Sequence, residues 1–296
     1  VRRLIEGQRR IGLWRSLSMT GRILSTVPTS WTLVTVTYNN AEKLRTYWST
    51  PIPAGVEWIV VDNGSTDDSV AVARELGATH VIEAGRNLGF SAANNVGLKR
   101  STGTYVAFVN PDVRVTFEDL PALATRINRR GGLVSPQLVN DDLSRQPNGR
   151  GMPLLLHKVL NRLSNGSKLQ DSYLLFAGGN EERSVFWLIG AVVAGTADTF
   201  AALGGWNERY FLYYEDKDIS IRAWRAGLPV TLCGQFRWTH GWARETTSFK
   251  LAPWAREISS LLKFYALYPE FVLGGEWARA RNKTAAMRSG DVLAID

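Results

Sequence analysis

Several short runs in this 296-residue chain put oxygen-rich or basic side chains where a fold can use them for chemistry. Asp62 ends the apolar run WIVVD and is followed by Asn63-Gly64-Ser65-Thr66-Asp67. The residues after Asp62 read as a strand-to-helix turn, with Ser65 or Thr66 as N-cap and the acids Asp67 and Asp68 favouring the helix N-terminus. That leaves Asp62 itself, whose carboxylate could accept a hydrogen bond from a ring N–H of a pyrimidine base. Arg86, within Gly85-Arg86-Asn87-Leu88-Gly89, is a candidate for charge-assisted contact with a diphosphate. The same run lacks the G-x-G-x-x-G spacing of a dinucleotide fingerprint, which argues against a Rossmann oxidoreductase.

In Asn110-Pro111-Asp112 the proline stops a strand ladder and presents Asn110 and Asp112 as neighbouring oxygen donors. Magnesium and manganese favour such donors and bind substrate phosphates beside one or two carboxylates. Further on, Glu215, Asp216 and Asp218 crowd the start of a helix under Tyr213 and Tyr214. Acids there ordinarily serve the helix dipole. Three exceed that need, and adjacent carboxylates in an aromatic setting have raised pKa values suited to a general base. His240, between Trp238 and Trp242, is either a structural hydrogen-bonder or an imidazole completing a metal site with Asp112.

These side chains need a scaffold, and the pattern from residue 32 supplies one. Strands are expected at 32–37, 57–62, 80–83 and 104–110, separated by helices near 41–49, 67–76, 91–100 and 117–130. The alternation predicts an α/β fold with a Rossmann-like, mostly parallel central sheet flanked by helices. Ligands of such sheets bind outside the carboxyl ends of the strands, where Thr37-Tyr38-Asn39, Asp62 and Asn110-Pro111-Asp112 fall. Residues 136–182 read as a long irregular segment of the kind that shapes substrate sites. Order is expected again at 186–195, in a helix from 197, in a helix at 215–227 and in a short strand at 230–233. A C-terminal helix after Pro253 carries Trp254, Ile258, Leu261, Leu262 and Tyr265 as a stripe against the body, with a membrane-surface or dimer contact as the alternative. The last dozen residues read as a frayed tail. The division expected is a basic extension at 1–30, halves at 31–135 and 136–250 of one domain, and a helix and tail at 251–296.

The net charge of +8 raises nucleic acid as a partner, but residues 1–30 hold six Arg against Glu6 and the remainder is only mildly basic. Nucleic acid is therefore not expected; a basic leader with Leu4, Ile11, Trp14 and Leu17 suits anionic headgroups better. Cys233 is the one cysteine, which excludes an intramolecular disulfide framework and a cysteine zinc site. No run approaches the ~18 apolar residues of a spanning helix. A cytoplasmic chain with peripheral contact at the inner membrane face is expected.

Together, VTYNN at the first strand end, VDNGSTDDS (61–69), GRNLGFSAANNVGL (85–98), YVAFVNPDV (105–113) and the long run from Gly190 to Gly227 resemble an inverting glycosyltransferase of family two with a GT-A fold. The rhamnosyltransferase-like branch is the most similar, over roughly residues 32–242. The resemblance implies that Thr37, Tyr38 and Asn39 line the nucleotide pocket, Asp62 holds the base, and Arg86 and Asn87 approach the nucleotide. Asn110-Pro111-Asp112 stands at the family's D-x-D motif, with Asn110 in place of the first Asp, and Asp112 and His240 as ligands of Mn2+ or Mg2+. Asp216, beside Glu215, is implied as catalytic base, and Trp206 and Tyr214 as walls of the acceptor site.

The donor implied is dTDP- or UDP-linked, rhamnose being favoured over galactofuranose. The acceptor implied is a saccharide or polyprenyl-linked saccharide of the cell envelope, and a homo-oligomer is compatible with the C-terminal stripe. A nucleotidyltransferase would need a Gly-rich triphosphate loop with a basic residue where VTYNN stands. A non-catalytic nucleotide-sugar-binding module would release no nucleoside diphosphate.

Overall fold

The computed structural model describes residues 30–155, 173–241 and 251–293, so the basic leader, Trp242 and part of the irregular segment lie outside the described residues. Strands β1 (Trp31–Thr37), β2 (Val56–Asp62), β3 (His80–Glu83) and β4 (Tyr105–Val109) alternate with helices α1 (Ala41–Tyr47), α2 (Ser69–Glu75) and α3 (Phe90–Arg100). All four strands pair in parallel in the order β3-β2-β1-β4. Their apolar residues divide between two faces: Val34 and Phe108 pack on one side of the sheet, Leu33 and Ala107 on the other. A sheet covered on both faces needs this continuous apolar sequence. Helix α2 begins two residues later than expected, because Asp67 is held in the preceding turn, accepting from the Ser69 amide and hydroxyl and the Ala41 amide.

After β5 (Val113–Arg114) and α4 (Leu120–Arg130), the structure departs from expectation. Residues 133–139, part of them read as irregular, form a buried strand β6 (Leu133–Val139). Pro136 in its middle disguised it. The ladder tolerates this proline because its partner, β12 (Val230–His240), bulges between Cys233 and Arg237, beside Pro136. That bulge also broke the alternation that would have revealed β12 in full. His240 is thus the last residue of one eleven-residue strand, and no break separates it from Val230–Cys233.

Short strands follow β6: β7 (Gly149–Arg150), β8 (Leu174–Leu175), β9 (Glu182–Ser184) and β10 (Trp187–Leu188), then β11 (Val192–Thr196), α5 (Ala197–Leu203) and α6 (Glu215–Arg225). The main sheet runs β13-β9-β12-β6-β11-β4-β1-β2-β3, with β5 on β12, while β10-β7-β8 form a second small sheet. β11 is antiparallel to both β4 and β6. β6 and β12 run parallel to each other.

The chain closes with α7 (Leu251–Leu267), α8 (Glu270–Leu273), α9 (Gly275–Arg281), α10 (Lys283–Arg288) and β13 (Val292–Leu293). The expected frayed tail instead pairs β13 antiparallel with β9. The inward face of α7 also differs from the expected stripe. Ser260, Phe264 and Tyr265 are buried with Leu261 partly so, whereas Ile258 and Leu262 are 51% and 63% exposed. No helix among the described residues is long and apolar enough to cross a membrane. Cys233 is buried with a free thiol, its pKa pushed up to about 12 by burial.

Candidate active site

Three strand ends and one helix start meet at the site. At the end of β1, Thr37 is fully buried, with its hydroxyl unpartnered among the described residues, and Tyr38 is exposed. Asn39 adopts φ +54°, a left-handed conformation Asn tolerates better than most side chains. Its side-chain oxygen accepts from the Thr66 amide at 2.8 Å and its own amide donates to Ser65 Oγ at 2.9 Å, stitching the β1 loop to the β2 loop.

Asp62 is buried, and its Oδ2 accepts from the amides of Gly64 at 3.2 Å and Ser65 at 3.1 Å. The local turn therefore uses Asp62 as well as the residues after it. Its Oδ1 makes only a 3.4 Å contact with the Ser65 amide, which leaves lone pairs for a ligand.

Asn63 carries the connection to the third loop. Its side chain donates to Asn87 Oδ1 at 3.0 Å and accepts from the Leu88 amide at 2.7 Å. Asn87 also accepts from the Gly89 amide, so it holds the loop together, while Arg86 beside it is exposed. At Gly89 (φ +84°) a Cβ would stand 2.5 Å from the Phe211 carbonyl oxygen, and the Phe90 amide donates to that oxygen at 2.7 Å. Glycine lets the two halves approach here.

The β4 end contributes Asp112. β5 pairs with the end of β12 so that Val113 faces His240, and the Gly241 amide donates to the Asp112 carbonyl at 2.8 Å. This pairing brings His240 Nε2 to 3.5 Å from Asp112 Oδ1. Lys43 of α1 places Nζ 2.9 Å from Asp112 Oδ2. Burial raises the Asp112 pKa, but His240 and Lys43 outweigh it and hold the carboxyl below its usual value. On the far side of the ring, His240 Nδ1 lies 2.7 Å from Gln146 Oε1.

The acidic run sorts into three roles. Tyr213 and Tyr214 have φ +69° and +74°, a rare tandem of left-handed non-glycine residues immediately before α6. Such strain costs on the order of 1–3 kcal/mol per residue and gathers at functional sites. Glu215 is buried with Oε2 unpartnered among the described residues, and its pKa is raised to about 8, first by burial and then by the charge of Asp216. Asp218 is fully buried and accepts from Arg222 Nε, Asn207 Nδ2 and the Tyr268 hydroxyl, tying α6 to its neighbours. Asp216 is half-buried, and its two oxygens accept from main-chain amides: Lys217 at 2.8 Å and Gly190 at 3.2 Å. Among the three, it is the acid with a fixed carboxylate and a path to solvent.

Gly190 and its successor join the two centres. The Gly190 amide holds Asp216, and the Ala191 carbonyl accepts from the Asn110 amide at 2.9 Å. The candidate base and the Asn110-Pro111-Asp112 corner are thereby one dipeptide apart.

The acceptor aromatics do not fit the expectation. Trp206 is 1% exposed, edge-on to Phe90 and Phe108, and Tyr214 is 2% exposed against Phe264 and Tyr265. Neither ring offers a face to a sugar. Trp238 is likewise buried, donating Nε1 to Asp119. Lys43, Gln146 and Gly190 were missed as site residues because their partners lie 69, 94 and 26 positions away in the chain.

With the geometry in place, comparisons with known proteins agree on a class. The fold matches solved GT-A glycosyltransferases. GalNAc-T7 with UDP, GalNAc and Mn2+ superposes with TM-score 0.55 at 16% identity, covering 87% of this chain and 55% of that one, so the present chain spans about half of it. TarS residues 1–349 of S. aureus with UDP-GlcNAc gives TM-score 0.55 at 17% identity, covering 87% and 70%.

An N-acetylglucosaminyl-diphospho-decaprenol L-rhamnosyltransferase of Mycobacterium tuberculosis is 30% identical over 216 residues, 66% of this chain and 70% of that protein. The low-salt glycan biosynthesis hexosyltransferase Agl10 of Haloferax volcanii is 24% identical over 239 residues, 78% and 73%. Residues 32–180 match the family model described as glycosyl transferase family 2. The chain belongs to glycosyl transferase family 2.

Proposed function

We propose that the protein is an inverting hexosyltransferase that moves a sugar from a nucleoside diphosphate donor to a saccharide or polyprenyl-linked saccharide. Rhamnose from a dTDP-linked donor is the favoured substrate, in keeping with the mycobacterial relative, and a UDP-linked hexose such as galactofuranose is the alternative. The observation that carries this reading is the 190–191 bridge, which holds the Asp216 carboxylate beside the Asn110-Pro111-Asp112 corner.

Asp216 takes the proton of the acceptor hydroxyl. That oxygen bonds to the anomeric carbon as the bond to the diphosphate breaks on the opposite face, and the nucleoside diphosphate leaves with the electron pair. Fixed amides on both Asp216 oxygens orient the carboxylate for this transfer. Thr37, Tyr38, Asn39 and Asp62 hold the nucleoside, with Asn87 supporting the loop that presents Arg86 to the diphosphate.

The donor set fits a hard divalent ion such as Mn2+ or Mg2+. Asp112 Oδ1 is buried with no hydrogen-bond partner among the described residues, and it faces His240 Nε2. No cluster of three or more His, Cys, Asp or Glu suited to a metal occurs among the described residues, so Asp112 and His240 would share the ion with substrate phosphates and water. When bound, it would supply charge that stabilises the diphosphate leaving group. A lipid-linked acceptor would place the protein peripherally at the cytoplasmic membrane face.

The test is a panel of nucleotide sugars, with and without Mn2+, scored by protection from thermal unfolding and by release of nucleoside diphosphate. A dTDP- or UDP-linked sugar should raise the unfolding midpoint and be turned over with an acceptor. Absence of protection by every pyrimidine nucleotide overturns the reading. Protection without turnover identifies a binding module.

A further inference from the structure

We propose that Gln146 is a positioning residue that fixes the tautomer of His240 and thereby makes Nε2 a metal ligand; this rests on the assignment of Asp112 and His240 to a divalent ion.

The orientation of the Gln146 amide follows from its partners. Gln146 is buried, and its Nε2 lies 2.7 Å from the main-chain carbonyl oxygen of His240 and 2.7 Å from Asn140 Oδ1. A carbonyl oxygen only accepts, so the amide group facing it is the NH2. The Gln146 oxygen is then the atom 2.7 Å from His240 Nδ1, and Nδ1 must carry the hydrogen that bridges them.

A neutral imidazole has one N–H. With Nδ1 protonated, Nε2 presents a lone pair, and it faces Asp112 Oδ1 across 3.5 Å. That oxygen is buried and has no other hydrogen-bond partner among the described residues. Two acceptors aimed at each other are repulsive unless a cation lies between them, either a proton on Nε2, the form in which His240 lowers the Asp112 pKa, or a metal ion that takes the proton's place. Gln146 therefore keeps open a gap that the other tautomer would close, since an Nε2–H would donate to Asp112 and occupy both donor atoms. Partners behind a ligating imidazole commonly select its tautomer in this way, and their removal costs about 10–100-fold in metal affinity or activity.

The ring also cannot turn to escape the constraint. Gln146 grips the same residue twice, at Nδ1 and at the backbone carbonyl, and its main-chain N–H donates to the Leu138 carbonyl at 2.8 Å. The segment from Asn140 to Gln146, outside the strands, thus acts on the end of β12.

The experiment uses the full chain labelled with 15N-histidine, whose three histidines include His240, assigned by loss of its signals in His240→Gln. Two-bond 1H–15N correlation in metal-free protein reads the tautomer, and titration with Mn2+ alone reads binding by broadening of the ring signals. Wild type is expected as the Nδ1–H tautomer. Gln146→Met is expected to switch to Nε2–H and to need at least tenfold more Mn2+. Gln146→Glu, which retains an acceptor toward Nδ1, is expected to restore the wild-type tautomer.

An Nε2–H tautomer in wild type overturns the proposal even if Gln146→Met fails to fold. So does Gln146→Met with unchanged tautomer and Mn2+ response, or Gln146→Glu that behaves like Gln146→Met. An Nδ1–H tautomer in a wild type that binds no Mn2+ overturns the metal assignment and, with it, the ligand role given to Nε2.

Discussion

Asp216 Oδ2 accepts a hydrogen bond from the Gly190 amide at 3.2 Å, and this contact links helix α6 to the strand-end corner at Asn110. The carbonyl of the following residue, Ala191, accepts from the Asn110 amide. The candidate base on α6 and the Asn110-Pro111-Asp112 corner after β4 are thus joined through main-chain groups of two consecutive residues. Both are main-chain groups, so of the ordinary substitutions at 190 or 191 only proline at 190 would delete one of them.

The first prediction concerns Glu215, whose burial beside Asp216 raises its pKa to about 8. An acid with a folded pKa above its unfolded value holds its proton in the fold while the unfolded chain releases it. Stability from this group is full below pH ~4.5 and is lost as pH rises toward the folded value. Thermal unfolding at a series of pH values between 5 and 8 should show wild type losing stability relative to Glu215→Gln, which stays neutral throughout. Parallel curves would contradict the assignment.

A second concerns the cation on the candidate metal ligand. Lys43 Nζ occupies Asp112 Oδ2, so Lys43→Met frees that oxygen. Mn2+ alone should then bind several-fold more tightly, measured by isothermal titration. Weaker binding would mean that Lys43 supports the site instead of competing for it.

A stability prediction comes from the opposite edge of the sheet. Arg126 and Glu182, 2% and 1% exposed, meet at 2.6 Å, with Arg129 and Arg130 also on Glu182, joining α4 to β9. Removing one partner leaves uncompensated buried charge, which costs about 3–5 kcal/mol. Glu182→Ala should lose this much in denaturant unfolding, with the nucleotide response of the remaining folded protein unchanged. A loss under about 1 kcal/mol would contradict the buried pairing.

The loop docking at Gly89 gives a fourth. Gly89→Ala imposes a left-handed alanine whose Cβ meets the Phe211 carbonyl oxygen, so the loop bearing Arg86 must shift. Nucleotide affinity should fall more than stability does, read by titration calorimetry beside thermal unfolding. Wild-type affinity would show that the loop is not part of the nucleotide site.

How far the site was legible depends on whether chemistry and periodicity sat in the same stretch. β1 to β4 and their helices were readable because each strand is a short apolar run ending in polar residues, and Asp62 and Asp112 stood out at those ends. β6 was hidden by Pro136, and the length of β12 by its bulge, both features that only pairing explains. His240 was singled out by its residue type, but its partner Gln146 lay in a stretch without period. Trp206 and Tyr214 misled because an aromatic run near an acid reads equally well as a binding surface or as core. Here Phe90, Phe108, Phe264 and Tyr265 claim those rings.

If Asp216 is the base for glycosyl transfer, as proposed, Asp216→Asn should lose single-turnover transfer. With the donor identified by the nucleotide-sugar panel, the rate should fall by about 10²–10⁴-fold. Nucleotide binding, followed by thermal protection, should stay close to wild type. Transfer at the wild-type rate would show that Asp216 is not the base.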